Sequence, residues 1–261
     1  MTERSGGKPA HGEPVVDRAL RLLSAFEGRA DGLTLTSLSA RAGLSKSTTL
    51  RLARRLMVWG ALERTEDGTF VIGLRLLEIA SMAPRGHGLR AVALPFMEDL
   101  HHATGQHVLL AVRDETEAVA VERLSAHDAG RVLYRVGGRM PLPATGVGLV
   151  LLAHAPVAVR NEVLADDLVL DDTGERVTPD QTRRALAEVL RTGVATMERT
   201  RPEPMRSVAA PIHSGGSVEA AVSVIAPAGS ASTTALTPAV ITVARAISRE
   251  LSRAGRRGQP Q

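Results

Sequence analysis

The 261-residue chain contains no cysteine. Disulfides, thiolate nucleophiles and cysteine-ligated metals are excluded, and a reducing compartment fits. Lysine is almost as scarce: Lys8 and Lys46 are the only two of 32 basic residues, and the rest are arginine. Because such a bias follows genomic base composition, the formal net charge of +4 is weak evidence for a polyanionic partner. No apolar run approaches the roughly 20 residues that cross a bilayer, and the polar start MTERSGGKPAHGEP lacks a signal-peptide core. A cytoplasmic protein with no membrane partner is expected. With 44% hydrophobic and 23% charged residues, the composition is that of a globular protein long enough for one large or two ordinary domains.

Where the positive charge sits says more than its total. The stretch LSARAGLSKSTTLRLARRLMVWGALER, Leu38 to Arg64, carries Arg41, Lys46, Arg51, Arg54, Arg55 and Arg64 against Glu63 alone. That local excess of five is larger than the net charge of the whole chain. Val16, Ala19, Leu20, Leu23 and Phe26 recur at helical spacing before it, and GRADG stops that helix. A second short helix should start at Thr36 as N-cap, bury Leu38 and Ala42, and end at Gly43, whose backbone permits a sharp exit. Ser45 caps a third helix, in which Thr49, Leu52, Ala53 and Leu56 form the inward stripe. Ser47, Thr48, Arg51 and Arg55 then face outward, with Lys46 in the first turn. A solvated helix normally mixes both signs, so an acid-free face points to a polyanion, with an ordinary exposed helix as the alternative.

The segment ALERTEDGTFVIG reads as two short strands, 62–65 and 69–72, joined at Asp67-Gly68 in an expected type I′ turn. Three helices and a hairpin make a winged helix-turn-helix, whose third helix enters the major groove while the wing reaches the backbone. The candidate DNA contacts are Thr36, Ser45, Lys46, Ser47, Thr48, Arg51 and Arg55, with Arg64 and Thr69 on the wing.

Beyond the wing, LRLLEIASMA reads as a helix that PRGHG breaks. The expected organisation is a disordered tail at 1–13, the DNA-binding domain at 14–73, and a linker helix with its break at 74–88. A second domain follows at 89–254, with a disordered tail at 255–261. That domain should be α+β around an antiparallel sheet. Its helices are expected from residue 89 to about 103, from near Thr145, at 182–191 and at 238–253. Strands are expected around 108–112, 118–121, 132–136, 194–198, 207–213 and 218–226.

Three stretches of that domain invite an enzymatic reading. His101, His102 and His107 lack the spacing and the carboxylate of a metal site and read as surface residues. HSGGS at 213–217 lacks the setting of a nucleophile elbow and reads as a hairpin turn. GVGLV at 146–150 is no nucleotide loop. No cofactor and no metal are expected. What MPLPATGVGLVLLAH offers is a loop entering a helix, where free N–H groups attract a carboxylate and Thr145 can cap the helix or bind the ligand. Tight packing of the glycines on the sheet is the competing reading.

Three N-terminal blocks, VVDRALRLLSAF, LTLTSLSARAGLSKSTTLRLARRL and GALERTEDGTFVIGLRLLEIA, resemble the DNA-binding half of the IclR (isocitrate lyase regulator) transcription factors. The likeness continues through LRAVALPFMEDLHHATGQHVLLAV, GRMPLPATGVGLVLLAH, RSVAAPIHSGGSVEAAVSVIAP and VARAISRELS. It implies that Lys46, Ser47, Thr48 and Arg51 hold the usual recognition-helix positions, with Thr49 and Leu50 departing from the family pattern. It implies a GAF-like effector-binding domain in which Gly146 and Val147 meet an anion, Leu142 forms a wall, and Ser223 supplies a hydroxyl. In VATMERTRPEPMRSVAAPI, Met197, Arg199 and Thr200 stand where relatives carry acids, Pro204 replaces a glycine and Ser207 occupies a position often held by cysteine. The site is thereby less negative, which suits an acidic or amphipathic organic effector. The expected function is a ligand-responsive repressor binding operator DNA as a homodimer or a dimer-of-dimers tetramer. A C-terminal domain that only assembles oligomers is the alternative, and an enzyme on the C-terminal fold the remaining one.

Overall fold

The structure is a computed structural model. It describes residues 12–27, 32–126, 129, 132, 134–165, 167–169, 176–200, 203–230 and 232–257. The chain divides into two compact units, Met1–Ala83 and Pro84–Gln261, with the division inside the expected linker. Most of the expected tails at 1–13 and 255–261 lies outside the described residues. The exceptions differ from expectation: Glu13 pairs with Arg21 at 2.7 Å, and the last helix runs on to Arg257.

In the first unit, helices α1 (Val15–Ser24), α2 (Leu35–Ala42) and α3 (Lys46–Trp59) precede a hairpin of β1 (Leu62–Arg64) and β2 (Phe70–Ile72), and α4 (Leu74–Ala80) follows. Leu22, Leu38, Leu52, Ala53, Leu62 and Phe70 share one core. The α1 stripe is rotated from the expected one: Leu22 and Phe26 are buried, whereas Val16 and Leu20 stand 65% and 56% exposed. The cap of α2 is Thr34 rather than Thr36, its side chain accepting the Ser37 N–H at 3.2 Å. Both threonines are suitable caps, and the choice falls on Thr34 because Leu33 is pinned to Phe70 by two 2.8 Å backbone bonds, which fixes where the helix begins. Gly43 (φ 62°) ends α2, and Ser45 caps α3 by accepting the Thr48 N–H.

The wing turn is not type I′. Only Gly68 has positive φ (85°), Asp67 does not, and the Gly68 N–H donates to the Thr65 carbonyl. The result is a type I turn closed by a left-handed glycine, which leaves Asp67 in the ordinary region and frees its carboxylate to bond Thr65.

The second unit opens with a wide helical turn, Pro84–Gly88, that runs directly into α5 (Leu89–Thr104). The expected break therefore lies one step earlier, at 81–83, where the chain leaves the helix. Strands β3 (His107–Asp114), β4 (Glu117–Leu124) and β5 (Arg139–Pro141) are followed by α6 (Gly146–Ala153) and α7 (Val157–Val163). A two-residue pair, β6 (Leu168–Val169) and β7 (Arg176–Val177), precedes α8 (Pro179–Thr192). The chain closes with β8 (Ala195–Arg199), β9 (Met205–Ser214), β10 (Ser217–Pro227) and α9 (Thr233–Arg257).

Six strands form one antiparallel sheet in the order β5-β4-β3-β10-β9-β8. Alternation along the strands splits the core. Val108, Leu110, Val208, Ala210, Val222 and Val224 face α5 and α9. Leu109, Ala111, Ala209 and Ala221 face α6 and α8. No strand forms at 132–136 among the described residues; the chain pairs one step later, as β5. His107 is no surface residue. It is 3% exposed, its Nδ1 accepts the Ala126 N–H, and its Nε2 therefore donates to the Ala129 carbonyl at 3.0 Å. The HSGGS turn is formed by Gly215 and Gly216, both at positive φ.

Candidate functional site

Two sites emerge, one in each unit. On α3 and its cap the exposed polar side chains are Ser45, Lys46, Ser47, Arg51, Arg54 and Arg55, with Thr48 half-buried beneath Ser45. The helix has no acid in its first turn, so its free N–H groups add to the positive charge of the side chains. Thr36 is exposed in the first turn of α2. Arg41 belongs to the same charge cluster but is a clamp: its guanidinium donates to the carbonyls of Ala25 and Glu27 at 2.5 and 2.8 Å, tying α2 to the end of α1.

On the wing, Arg64 folds back, donating to the Gly68 carbonyl at 3.0 Å and lying 5.6 Å from the Phe70 ring. Thr69 joins the turn through Thr65 at 2.7 Å. The hydrogen bond from Thr65 holds the Asp67 carboxyl below its ordinary value. Leu50, which departs from the family pattern, is half-buried and packs against the core of this unit.

In the second unit a cavity opens between the N-terminus of α6 and strands β3, β8, β9 and β10. The structure brings Thr145, Gly146, Val147, Met197, Ser207 and Ser223 together on its lining. These come from four separate elements. Leu142 stands apart: it is fully buried in the core beneath α6 and does not line the cavity. Its backbone carbonyl closes the space at Gly148, where a Cβ would run into that oxygen.

Thr145 caps α6, its hydroxyl accepting the Gly148 N–H at 3.0 Å. Gly146 is both packed and lining, since a Cβ there would sit 2.9 Å from the Ser207 hydroxyl and 3.4 Å from Ala209 Cβ. The two readings of the glycine loop, ligand approach and close packing, thus describe the same atom. Ser223 is 1% exposed, and among the described residues its hydroxyl makes no hydrogen bond.

Other lining residues were not foreseen as a group: Leu109, Tyr134, Glu203, Met205, Arg206 and Ile225. Arg199 lines the cavity too and donates to the Tyr134 hydroxyl at 3.2 Å, across 65 positions of sequence. Tyr134 is the only tyrosine in the chain, which is the one signal the sequence offered for it. Its segment is held by Arg123, which donates to the Tyr134 carbonyl at 2.6 Å. Arg206 is bound to Glu198 at 2.6 Å. The wall is mainly aliphatic and thioether, with hydroxyls and arginines at separate points. It can enclose a small organic molecule that carries oxygen, and no group of three metal-ligating side chains occurs among the described residues.

Comparison with known proteins gives both sites a context. Residues 15–66 match the IclR helix-turn-helix domain, and residues 83–253 match the C-terminal domain of the bacterial transcriptional regulator IclR. The chain is 31% identical over 250 residues to the glycerol operon regulatory protein of Streptomyces griseus, spanning 92% of this chain and 97% of that one. It is 30% identical over 199 residues to the Escherichia coli transcriptional regulator XynR, spanning 76% and 79%. An IclR homolog from Microbacterium hydrocarbonoxydans, solved in complex with 4-hydroxybenzoate, superposes with a TM-score of 0.81 at 36% identity over 92% of this chain and all of that one. The helix-turn-helix with its wing and the cavity-bearing sheet domain thus occur together in one known kind of regulator, and the chain belongs to the IclR family of bacterial transcriptional regulators.

Proposed function

We propose that this regulator is a repressor that binds operator DNA through α3 and the wing as a homo-oligomer in the cytoplasm, and changes its hold on DNA when a small organic acid enters the cavity. The carrying observation is the Ser223 hydroxyl, which lines the cavity without a hydrogen-bond partner among the described residues, together with the N–H groups at 146–147. That is the donor set of a carboxylate site, and the serine hydroxyls complete it. A domain that only assembles would gain nothing from such a cavity. The 4-hydroxybenzoate in the Microbacterium relative supports the same class of ligand.

Oligomerisation is supported by apolar side chains the first unit leaves in water. Val15, Val16 and Leu20 on α1 and Leu74, Leu77 and Ile79 on α4 are each 41–65% exposed, and α4 buries no residue. A stripe of this kind marks a protein contact. One winged helix reads only a few base pairs, so pairing also adds the second half-site. Dimer and dimer-of-dimers both accommodate this contact.

The test is Gly146→Leu. Its side chain would fill the space beside Ser207 while leaving α3 untouched. The expected variant binds operator as wild type does and no longer responds to the acid, and calorimetry shows ligand binding lost. Unchanged ligand affinity would remove the α6 end of the cavity from the site.

A further inference from the structure

We propose that the cavity reads its ligand at two ends, with Arg199 and Tyr134 selecting an uncharged hydroxyl on an aromatic monocarboxylate whose acid group lies at the α6 end. This rests on the reading of the cavity as an effector site and adds what the far end recognises.

Ser207 abuts Gly146, so the hydroxyls and the helix N–H groups form one pole. Arg199, at the end of β8, and Tyr134, on the segment before β5, meet at 3.2 Å and form another. The rest of the lining includes Leu109 beside Ser223, Ile225 and Met197 on either side of Ser207, and Met205 beside Arg199. Methionine sulfur makes favourable contacts at the edge of an aromatic ring, and a flat apolar body fills a slot between thioethers at little entropic cost.

Charge then decides what the second pole takes. Among the lining side chains Arg199 and Arg206 are cationic and Glu203 is anionic, and Arg206 already spends its charge on Glu198 at 2.6 Å. What is left is close to neutral before a carboxylate docks on the α6 dipole. A second full negative charge would be poorly compensated in a site walled by apolar groups. A neutral hydroxyl suits the Arg199–Tyr134 pair: it accepts from the guanidinium and exchanges a hydrogen bond with the phenol. An arginine at this position, where the resemblance implies an acid, turns the far wall from acceptor to donor.

The experiment uses the full-length protein and three probes that share a ring and differ only at the para position: benzoate, 4-hydroxybenzoate and terephthalate. Isothermal titration should show wild type binding 4-hydroxybenzoate roughly ten- to a hundredfold more tightly than benzoate, the range for a hydrogen bond to a charged group. Terephthalate should bind less tightly than 4-hydroxybenzoate. Arg199→Met and Tyr134→Phe should each bring 4-hydroxybenzoate down towards benzoate while leaving benzoate affinity close to wild type, and retained benzoate binding shows that each variant is folded. Preference for the hydroxyl that survives both substitutions overturns the inference, as does tighter binding of terephthalate. If wild type binds benzoate and 4-hydroxybenzoate equally, the two-ended reading fails and the acid site stands. If wild type binds none of the three, the organic-acid reading falls as well.

Discussion

Thr49 is fully buried in the α3 stripe, and its hydroxyl has no hydrogen-bond partner among the described residues. Removing the hydroxyl at constant shape should therefore stabilise the fold: Thr49→Val is expected to gain about 1 kcal/mol in urea unfolding, because an unmet buried donor is eliminated. Unchanged or lower stability would show that the hydroxyl is satisfied in solution. At Gly148 the expectation is the reverse. A single methyl there meets the Leu142 carbonyl and lies 2.6 Å from the Thr145 hydroxyl, so Gly148→Ala should cost roughly 1–3 kcal/mol through overpacking. His213 adds a pH dependence. Burial first, and the facing His154 second, hold its imidazole below the ordinary value of 6.5. The unfolded chain then takes up a proton that the folded protein resists, so stability is intact above pH 6.5 and declines as pH falls below it. His213→Asn should flatten that decline in melting temperature, and an equally steep one in the variant would place its cause elsewhere. What was readable at this scale was whatever a local rule governs. Gly43 and Ser45 follow capping chemistry, whereas Thr36 and Leu142 depended on neighbours far along the chain: the Leu33–Phe70 pairing in one case, the helix–sheet packing in the other.

Elements show the same division. α3 declared itself by an apolar stripe opposite a basic face. α6 could not declare a face, because all eight of its residues are buried and no amphipathic pattern remains. The cavity was legible only in pieces: the glycine loop, Met197, Ser207 and Ser223 carry local signals, but Tyr134 reaches them through a segment with no periodicity. Arg51, exposed on α3, carries the element-scale prediction for DNA. Arg51→Ala should weaken operator binding by roughly 1–3 kcal/mol at fixed salt and leave the melting temperature unchanged, since nothing in the fold depends on it. Affinity measured by anisotropy should also fall steeply with salt as several phosphates are neutralised. A flat salt response would contradict the basic-face argument as a whole.

At the scale of the molecule, a helix-turn-helix unit that ends at Ala83 is followed by a cavity-bearing unit that begins at Pro84. The proposed coupling between them has a limit: an acid in the cavity can shift DNA affinity only as far as it binds one arrangement of the protein more tightly than the other. The most direct measurement is selection of sheared genomic DNA by the purified full-length protein, with and without saturating 4-hydroxybenzoate, followed by sequencing of what is retained. A small set of retained sites whose occupancy changes by about fivefold or more with the acid is the predicted result, the range typical of allosteric coupling. Retention of the same sites at the same occupancy with the acid bound would contradict the account.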